Sequence, residues 1–474
     1  MSVKKRLQWV HVIIIILLMF GFKYIPPVGD ITSLGMQTIG IFLGVVYGWC
    51  VINLVVPSLL GLFALSLLPD TGAISTFGSA FGDRVTVALL LFFVFAELIN
   101  QVGLSQWTVD WCLSRKFVKG KPFGMLAMLC LAGCIISAFV NVYASAVIMV
   151  GVFYSFCKNV GFSPGDKFPQ VALVAILYTG CMAGNLFPFM GAGILLQGIQ
   201  QRMAGSLPPY IPYILMQLLL MVIASVLYFA FAKFIVKPET TLIKNHELDD
   251  FNAKMNPQQK LVVGLLAAVL IALFAPSILP KEWLLTNVLI ALDIAGVLAI
   301  VLVIYYVVNI NSEDVVSFGR LAAGINWGVL LMLATAAPLT SAISSEDAGI
   351  MTTISNGLSS FATVLNPMVF VLIVLLIASI ITQFCNNVAI ILLTAPILYS
   401  FGNQFQIDAG VLSILIAFCL NVAFVTPAAS ASAAMVFSGK PYMDNKTAAL
   451  HGLVIFIVNM LVTVVGILIM NVFM

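Results

Sequence analysis

Apolar residues run in long blocks from one end of the chain to the other, with stretches of about 18–25 residues, long enough to cross a bilayer as a helix, recurring throughout and polar residues gathered in short gaps between them. Eleven blocks predict transmembrane helices, at 10–26, 34–51, 52–69, 85–106, 171–200, 209–235, 261–280, 284–308, 324–345, 409–439 and 448–472. Two more segments, 122–157 and 366–402, are long enough to enter and return or to cross twice. The short alternating segments of a membrane β-barrel are missing. The pattern predicts an all-α polytopic membrane protein, and the MSVKKR start running into VHVIIIILLMFGF predicts a retained first span rather than a cleaved leader.

The two long segments carry polar residues in their middles. Residues 139–156 read FVNVYASAVIMVGVFYSF and residues 384–401 read FCNNVAIILLTAPILYSF. Aligned end to end they share Phe139/Phe384, Asn141/Asn386, Ala144/Ala389 and the run Tyr154-Ser155-Phe156 against Tyr399-Ser400-Phe401. Each is followed by a span with an internal break, NLFPFMGAG at 185–193 and TPAASASA at 426–433. A hairpin, a broken helix and a further helix therefore occur in the same order in both halves.

Charge sets the orientation. With the N-terminus inside and both long segments read as re-entrant hairpins, seventeen of the 21 basic residues fall on the cytoplasmic side, leaving Lys23, Arg84, Arg202 and Lys281 outside. The first hairpin then enters from inside, the second from outside, and the C-terminus lies outside, so the halves form an inverted repeat. Two full crossings of each segment would give the same charge distribution; the hairpin reading rests on the asparagines in mid-segment. Inverted repeats with interrupted helices are the sequence signature of secondary transporters. A hairpin turn or helix break frees backbone groups that hydrocarbon cannot satisfy, so it persists only around a polar cavity. Freed carbonyls and asparagine oxygens can hold Na⁺, and helix N-termini favour an anion.

Composition agrees: 62% of residues are hydrophobic and 8% charged, against about 25% charged in soluble domains, so the surface faces lipid, in the cell membrane on this reading. The net charge of +3 says little about partners, and no nucleic-acid partner is expected. The eight cysteines form no CxxC pair, and His11, His246 and His451 are scattered, so no metal site other than one for Na⁺ is expected. HExxH, P-loop and GxSxG motifs are absent, which argues against a membrane enzyme and against built-in ATP hydrolysis. Glu97 and Asp293 lie near the middle of predicted spans; proton coupling and a structural contact both account for them, the second being favoured.

At the two hairpins and two breaks the chain resembles the divalent anion/sodium symporter (DASS) family of the ion transporter superfamily. The resemblance follows element order over most of the chain and is specific in these four segments. In that family each hairpin tip carries Ser-Asn-Thr and each broken helix a Pro-rich loop. The resemblance implies a homodimer whose transport domain moves against a scaffold like an elevator. It divides this chain into a scaffold half at 1–121, a transport half at 122–236, a cytosolic linker at 237–260, a second scaffold half at 261–365 and a second transport half at 366–474. The second tip aligns through Pro396, placing the motif on Asn386, Asn387 and Val388; at the first tip it falls on Asn141, Val142 and Tyr143. With Ser430 these are the implied substrate contacts. The implied sodium ligands are Ser137, Asn141, Met190, Gly191, Thr382, Asn387 and Ala429. Both motifs depart from the family pattern: Val142, Tyr143 and Val388 stand where amide and hydroxyl groups are expected. The resemblance implies Na⁺-coupled symport of a small anion, a di- or tricarboxylate or a sulfate-like ion. The alternatives are a proton-coupled carrier or exchanger of the same fold and, as a different class, a channel.

Overall fold

The computed structural model describes residues 3–69, 71–115, 121–244, 254–280, 282–309, 315–362, 366–384, 387–427 and 429–473. Among these residues it is all helix and loop, with no strand. Ten helices are long and apolar enough to cross a membrane, and five further apolar helices are shorter. The chain is thus an all-α polytopic membrane protein.

The first part contains Val3–Gly21 (α1), Ser33–Val51 (α2), Val55–Leu65 (α3), Ala73–Phe81 (α4), Arg84–Gln101 (α5) and Leu104–Leu113 (α6). The block expected as one span at 52–69 is shorter: α3 closes at Leu65, and the Thr71 hydroxyl donates to the Leu65 and Leu68 carbonyls that the helix end leaves open. A tight helical hairpin follows, Pro122–Phe139 (α7) and Val142–Val160 (α8), joined by only Val140 and Asn141. Asn141 caps α8, its side chain accepting from the Ala144 N–H at 2.7 Å. The broken helix comes next, Lys167–Ala183 (α9) and Gly191–Ala204 (α10), then Tyr210–Phe231 (α11).

After the short Thr241–Lys244 (α12) the pattern begins again with Pro257–Ile278 (α13), Leu284–Val308 (α14), Phe318–Ala323 (α15), Trp327–Ser344 (α16) and Ile350–Ala362 (α17). Asn256 and Gln259 form a reciprocal capping box that starts α13, with Pro257 at its first position. The second hairpin is Pro367–Thr382 (α18) and Asn387–Phe405 (α19); the second broken helix is Ala409–Leu420 (α20) and Ala431–Phe437 (α21); Asn445–Phe473 (α22) ends the described chain. Val142 and Asn387, one residue after the aligned pair Asn141/Asn386, each open the returning arm of a hairpin.

Packing interleaves the two hairpin-and-break units. In each broken helix the segment after the break leaves its own hairpin and packs on the opposite half: α10 against α19 and α20, α21 against α8 and α9. Buried polar contacts join the halves as well. Tyr178 donates to Asn459 Oδ1 at 2.6 Å, and Tyr228 pairs with His451 at 2.9 Å. Outside this unit α1, α2, α3 and α16 pack together, and α13, α14 and α5 form a second group.

Two ion pairs tie charged residues at the ends of apolar helices and at the break in α14, Arg84–Asp293 and Arg202–Asp83. Arg84, the first residue of α5, binds Asp293 through two nitrogens, one of them at 2.8 Å, and donates to Gln201 at 2.7 Å. Its neighbour Asp83 caps α5 and pairs with Arg202 at the end of α10. Asp293 sits at a break inside α14, with φ +52. The partner of Asp293 is a residue that the charge pattern assigns to an outer loop.

Candidate substrate and cation site

The two hairpin turns and the two helix breaks meet at one place. A cavity of about 150 Å³ is lined by Val142 and Tyr143 from the first hairpin, Gly191 and Ala192 after the first break, Asn387 and Val388 from the second hairpin, and Ser430, Ala431 and Ser432 after the second break. Each of these groups is the first turn of a helix: α8, α10, α19 and the short α21. The positive ends of these helix dipoles thus converge on one small space.

Local chemistry holds each break open. Pro188 cannot donate to a helix ladder. Gly191 has φ +52, and a Cβ there would lie 2.4 Å from the Gly184 carbonyl oxygen and 2.8 Å from Asn185 Oδ1. Only glycine fits that approach. Asn185 in turn accepts from the Ala192 N–H at 3.0 Å, fixing the start of α10. Phe139 at the hairpin rests on Phe187 of the break, ring centroids 5.3 Å apart.

The second break is tied down by Gln383, one residue past α18. Its Oε1 accepts from the backbone N–H groups of Phe424 and Val425 at 3.1 and 3.2 Å, and its backbone carbonyl accepts from the Thr426 hydroxyl. Asn387 Nδ2 donates to the Asn421 carbonyl at 2.9 Å. Ser430 caps α21, accepting from the Ala433 N–H at 3.0 Å, while its hydroxyl donates to the Ala423 carbonyl at 2.8 Å.

Several oxygens here fit a bound cation. Asn387 Oδ1 and Ser137 Oγ are buried with no hydrogen-bond partner among the described residues. Ser137 lies in the last turn of α7, beside Gly180, where a Cβ would approach its hydroxyl to 3.1 Å. Thr382 ends α18, fully buried, its hydroxyl donating to the Ser379 carbonyl at 3.0 Å and accepting a long bond from Gln383 Nε2 at 3.5 Å. Ser137 and Thr382 stand at the C-terminal ends of α7 and α18, where carbonyls are left without partners, while Asn387 opens α19. Neutral oxygens at negative helix ends suit an alkali cation.

A larger cavity of about 500 Å³ adjoins the first and shares Val142, Tyr143, Gly191, Val329 and Leu333 with it. Its remaining wall comes from the first hairpin and from α5 and α16, including Phe92, Phe93, Asn100 and Asn326. Among the described residues, neither cavity is lined by a charged side chain.

Of the residues named from sequence, Val142, Tyr143, Asn387, Val388, Ser430 and Gly191 line the smaller cavity, and Ser137, Asn141 and Met190 line the larger one. Thr382 and Ala429 are buried and are absent from both walls. Asn386 lies outside the described residues. Sequence reasoning missed Gln383, Asn185 and Asn421. Gln383 had a signal, as a polar residue in the apolar run before the second tip; the backbone role of Asn421 had none.

The family model described as citrate transporter matches residues 41–420. A sodium-dependent dicarboxylate transporter, SdcS of Staphylococcus saprophyticus, is 22% identical over 402 residues, covering 80% of this chain and 75% of its own. Among solved structures, the YdaH transporter of Alcanivorax borkumensis, whose crystal structure is described as having an unusual topology, aligns with a TM-score of 0.55 at 13% identity, over 84% of this chain and 87% of its own.

Proposed function

Because the chain belongs to the citrate transporter family, we propose that it is a secondary active carrier that symports a small anion, of the di- or tricarboxylate class, with Na⁺. The observation that carries this reading is the meeting of the N-termini of α8, α10 and α19, with the turn that opens α21, at one cavity with no basic side chain among its described lining residues. Backbone N–H groups there can hold carboxylate oxygens. A dianion held by dipoles alone keeps much of its charge, so a nearby cation strengthens its binding, and the anion strengthens the cation's. Asn387 links the two: it lines the anion cavity and carries a buried acceptor for the cation. The sodium dependence of SdcS supports the choice of ion.

Transport requires this site to face each side of the membrane in turn. The interleaved hairpins and breaks are the unit suited to move as one body, because α10 and α21 each bind the opposite half. The α1–α3 and α13–α14 groups are the frame it moves against. This is an elevator, working as a homodimer in the cell membrane with the N-terminus cytoplasmic and the C-terminus outside.

The test is uptake of a radiolabelled dicarboxylate into proteoliposomes under an inward Na⁺ gradient, with choline replacing Na⁺ in the control. Uptake in Na⁺ and none in choline is the expected result. Equal uptake in both would overturn sodium coupling, and uptake that followed an imposed proton gradient instead would assign the coupling to H⁺.

A further inference from the structure

The two adjoining cavities differ in character, and the difference bears on which anion is carried. The smaller has the helix N-termini. The larger has more than three times its volume; beside the polar Asn100, Ser137, Asn141 and Asn326 it offers an apolar face of Phe92, Phe93, Leu89, Val147 and Ile148. A citrate- or succinate-sized anion would use the first and leave the second as water against phenyl rings.

We infer that the carried anion bears an uncharged apolar substituent, seated in the larger cavity while its carboxylates face the helix N-termini in the smaller one. The inference rests on the carrier reading above. Three further observations support it. Val142 and Tyr143 stand on the shared wall, so a ligand in the first cavity meets a methyl-bearing chain and an aromatic ring where it turns toward the second. The Oδ1 of Asn326, in the larger wall, accepts from the Val329 N–H at 3.2 Å as the cap of α16. Behind the same wall lies Glu97: a Cβ added to Gly324 would sit 2.6 Å from its Oε2, and Gln101 donates to its other oxygen at 2.5 Å. A carboxylate so placed disfavours a second anionic group in this cavity. The charge of the ligand therefore belongs at one end and its apolar part at the other. Burying that part removes it from water and strengthens binding.

The experiment compares succinate with 2-benzylsuccinate by thermal stabilisation of the purified full-length chain in Na⁺. Both should stabilise, with benzylsuccinate reaching its half-effect at a concentration about tenfold lower. Val147→Trp fills the larger cavity from a residue that is 61% exposed, so the fold should tolerate it. It should erase the benzylsuccinate advantage and leave the succinate response unchanged. Ala144→Leu, which narrows the same cavity from the next turn of α8, should act in the same direction. Gel filtration checks that both variants remain monodisperse. A benzylsuccinate response no stronger than that of succinate would overturn the inference and leave the carrier reading standing, as would a Val147→Trp variant that keeps the advantage. If neither anion stabilises the protein in Na⁺, the carrier reading fails and this inference with it.

Discussion

Asn387 has one side-chain atom satisfied and one not. Its Nδ2 holds the Asn421 carbonyl, while Oδ1 is buried without a donor among the described residues. A buried unpaired acceptor costs about 1–3 kcal/mol, a cost that a bound cation would offset. Asn387→Ala removes one hydrogen bond and one orphan together. In Na⁺-free buffer its melting temperature should therefore stay near that of the wild type. Addition of Na⁺ should stabilise the wild type and leave the variant unmoved, and Na⁺-driven uptake by the variant should fall to background. A variant that still responds to Na⁺ would remove Asn387 from the cation site. Ser137→Ala should show a weaker version of the same loss, since it too removes an unpaired oxygen. Both residues were legible in the sequence as polar side chains in the middle of apolar segments, where nothing but a cavity or a neighbouring helix can accept them. Tyr143 was legible only as a departure from an expected motif. That it faces both cavities depends on which helix packs opposite it, and no local pattern encodes that.

Helix breaks were readable because their cause is local. Pro188 and Pro427 lack a donor, and the small residues after them let backbone approach backbone. What holds the breaks in shape was not readable, because the partners are far apart in sequence. Gln383 bonds to the N–H groups of Phe424 and Val425, 41 and 42 residues away. Gln383→Leu strands both donors and should cost about 2–4 kcal/mol of stability if each donor costs about 1–2 kcal/mol, read as a marked fall in melting temperature. Gln383→Glu retains an acceptor and should lose less. Comparing the two in thermal melts separates the acceptor from simple bulk. At the first break the constraint is steric. Gly191→Ala sets a Cβ against the Gly184 carbonyl in left-handed backbone, so it should destabilise the protein by at least about 1 kcal/mol and abolish uptake. The same locality explains the error at 52–69. Hydropathy continued through Leu68, but the chain turned at Ser66, where backbone and Thr71 satisfied the helix end.

For the whole molecule, the order of elements was visible from hydropathy and the repeat. The way the halves embrace was not, since interleaving leaves no trace in either half alone. Ion pairing shows the same limit: Asp293 looked isolated in its span because Arg84, 209 residues earlier, was placed in a loop. Arg84→Gln leaves the Asp293 carboxylate without its cation. Because Arg84 is 37% exposed at its side chain, the loss should be modest, about 1–3 kcal/mol, and the double variant with Asp293→Asn should recover part of it in thermal melts. If the hairpin unit moves as a body, single cysteines at positions 143 and 388 in a cysteine-free background should change in labelling rate with a membrane-impermeant maleimide when Na⁺ and anion are added. Rates that stay constant under every condition would argue for a fixed pore instead.

The crossing of α10 and α21 into opposite halves also bears on how the protein is made. The first hairpin emerges from the ribosome long before α21, the segment that will cover its returning arm. Until then its turn, with Asn141 and Ser137, must wait in the bilayer without its final neighbour. A chain halted in the linker at 237–260 should be recognised by membrane quality control as unfinished and degraded. The same chain, co-translated with a separate fragment carrying the second half, should be rescued.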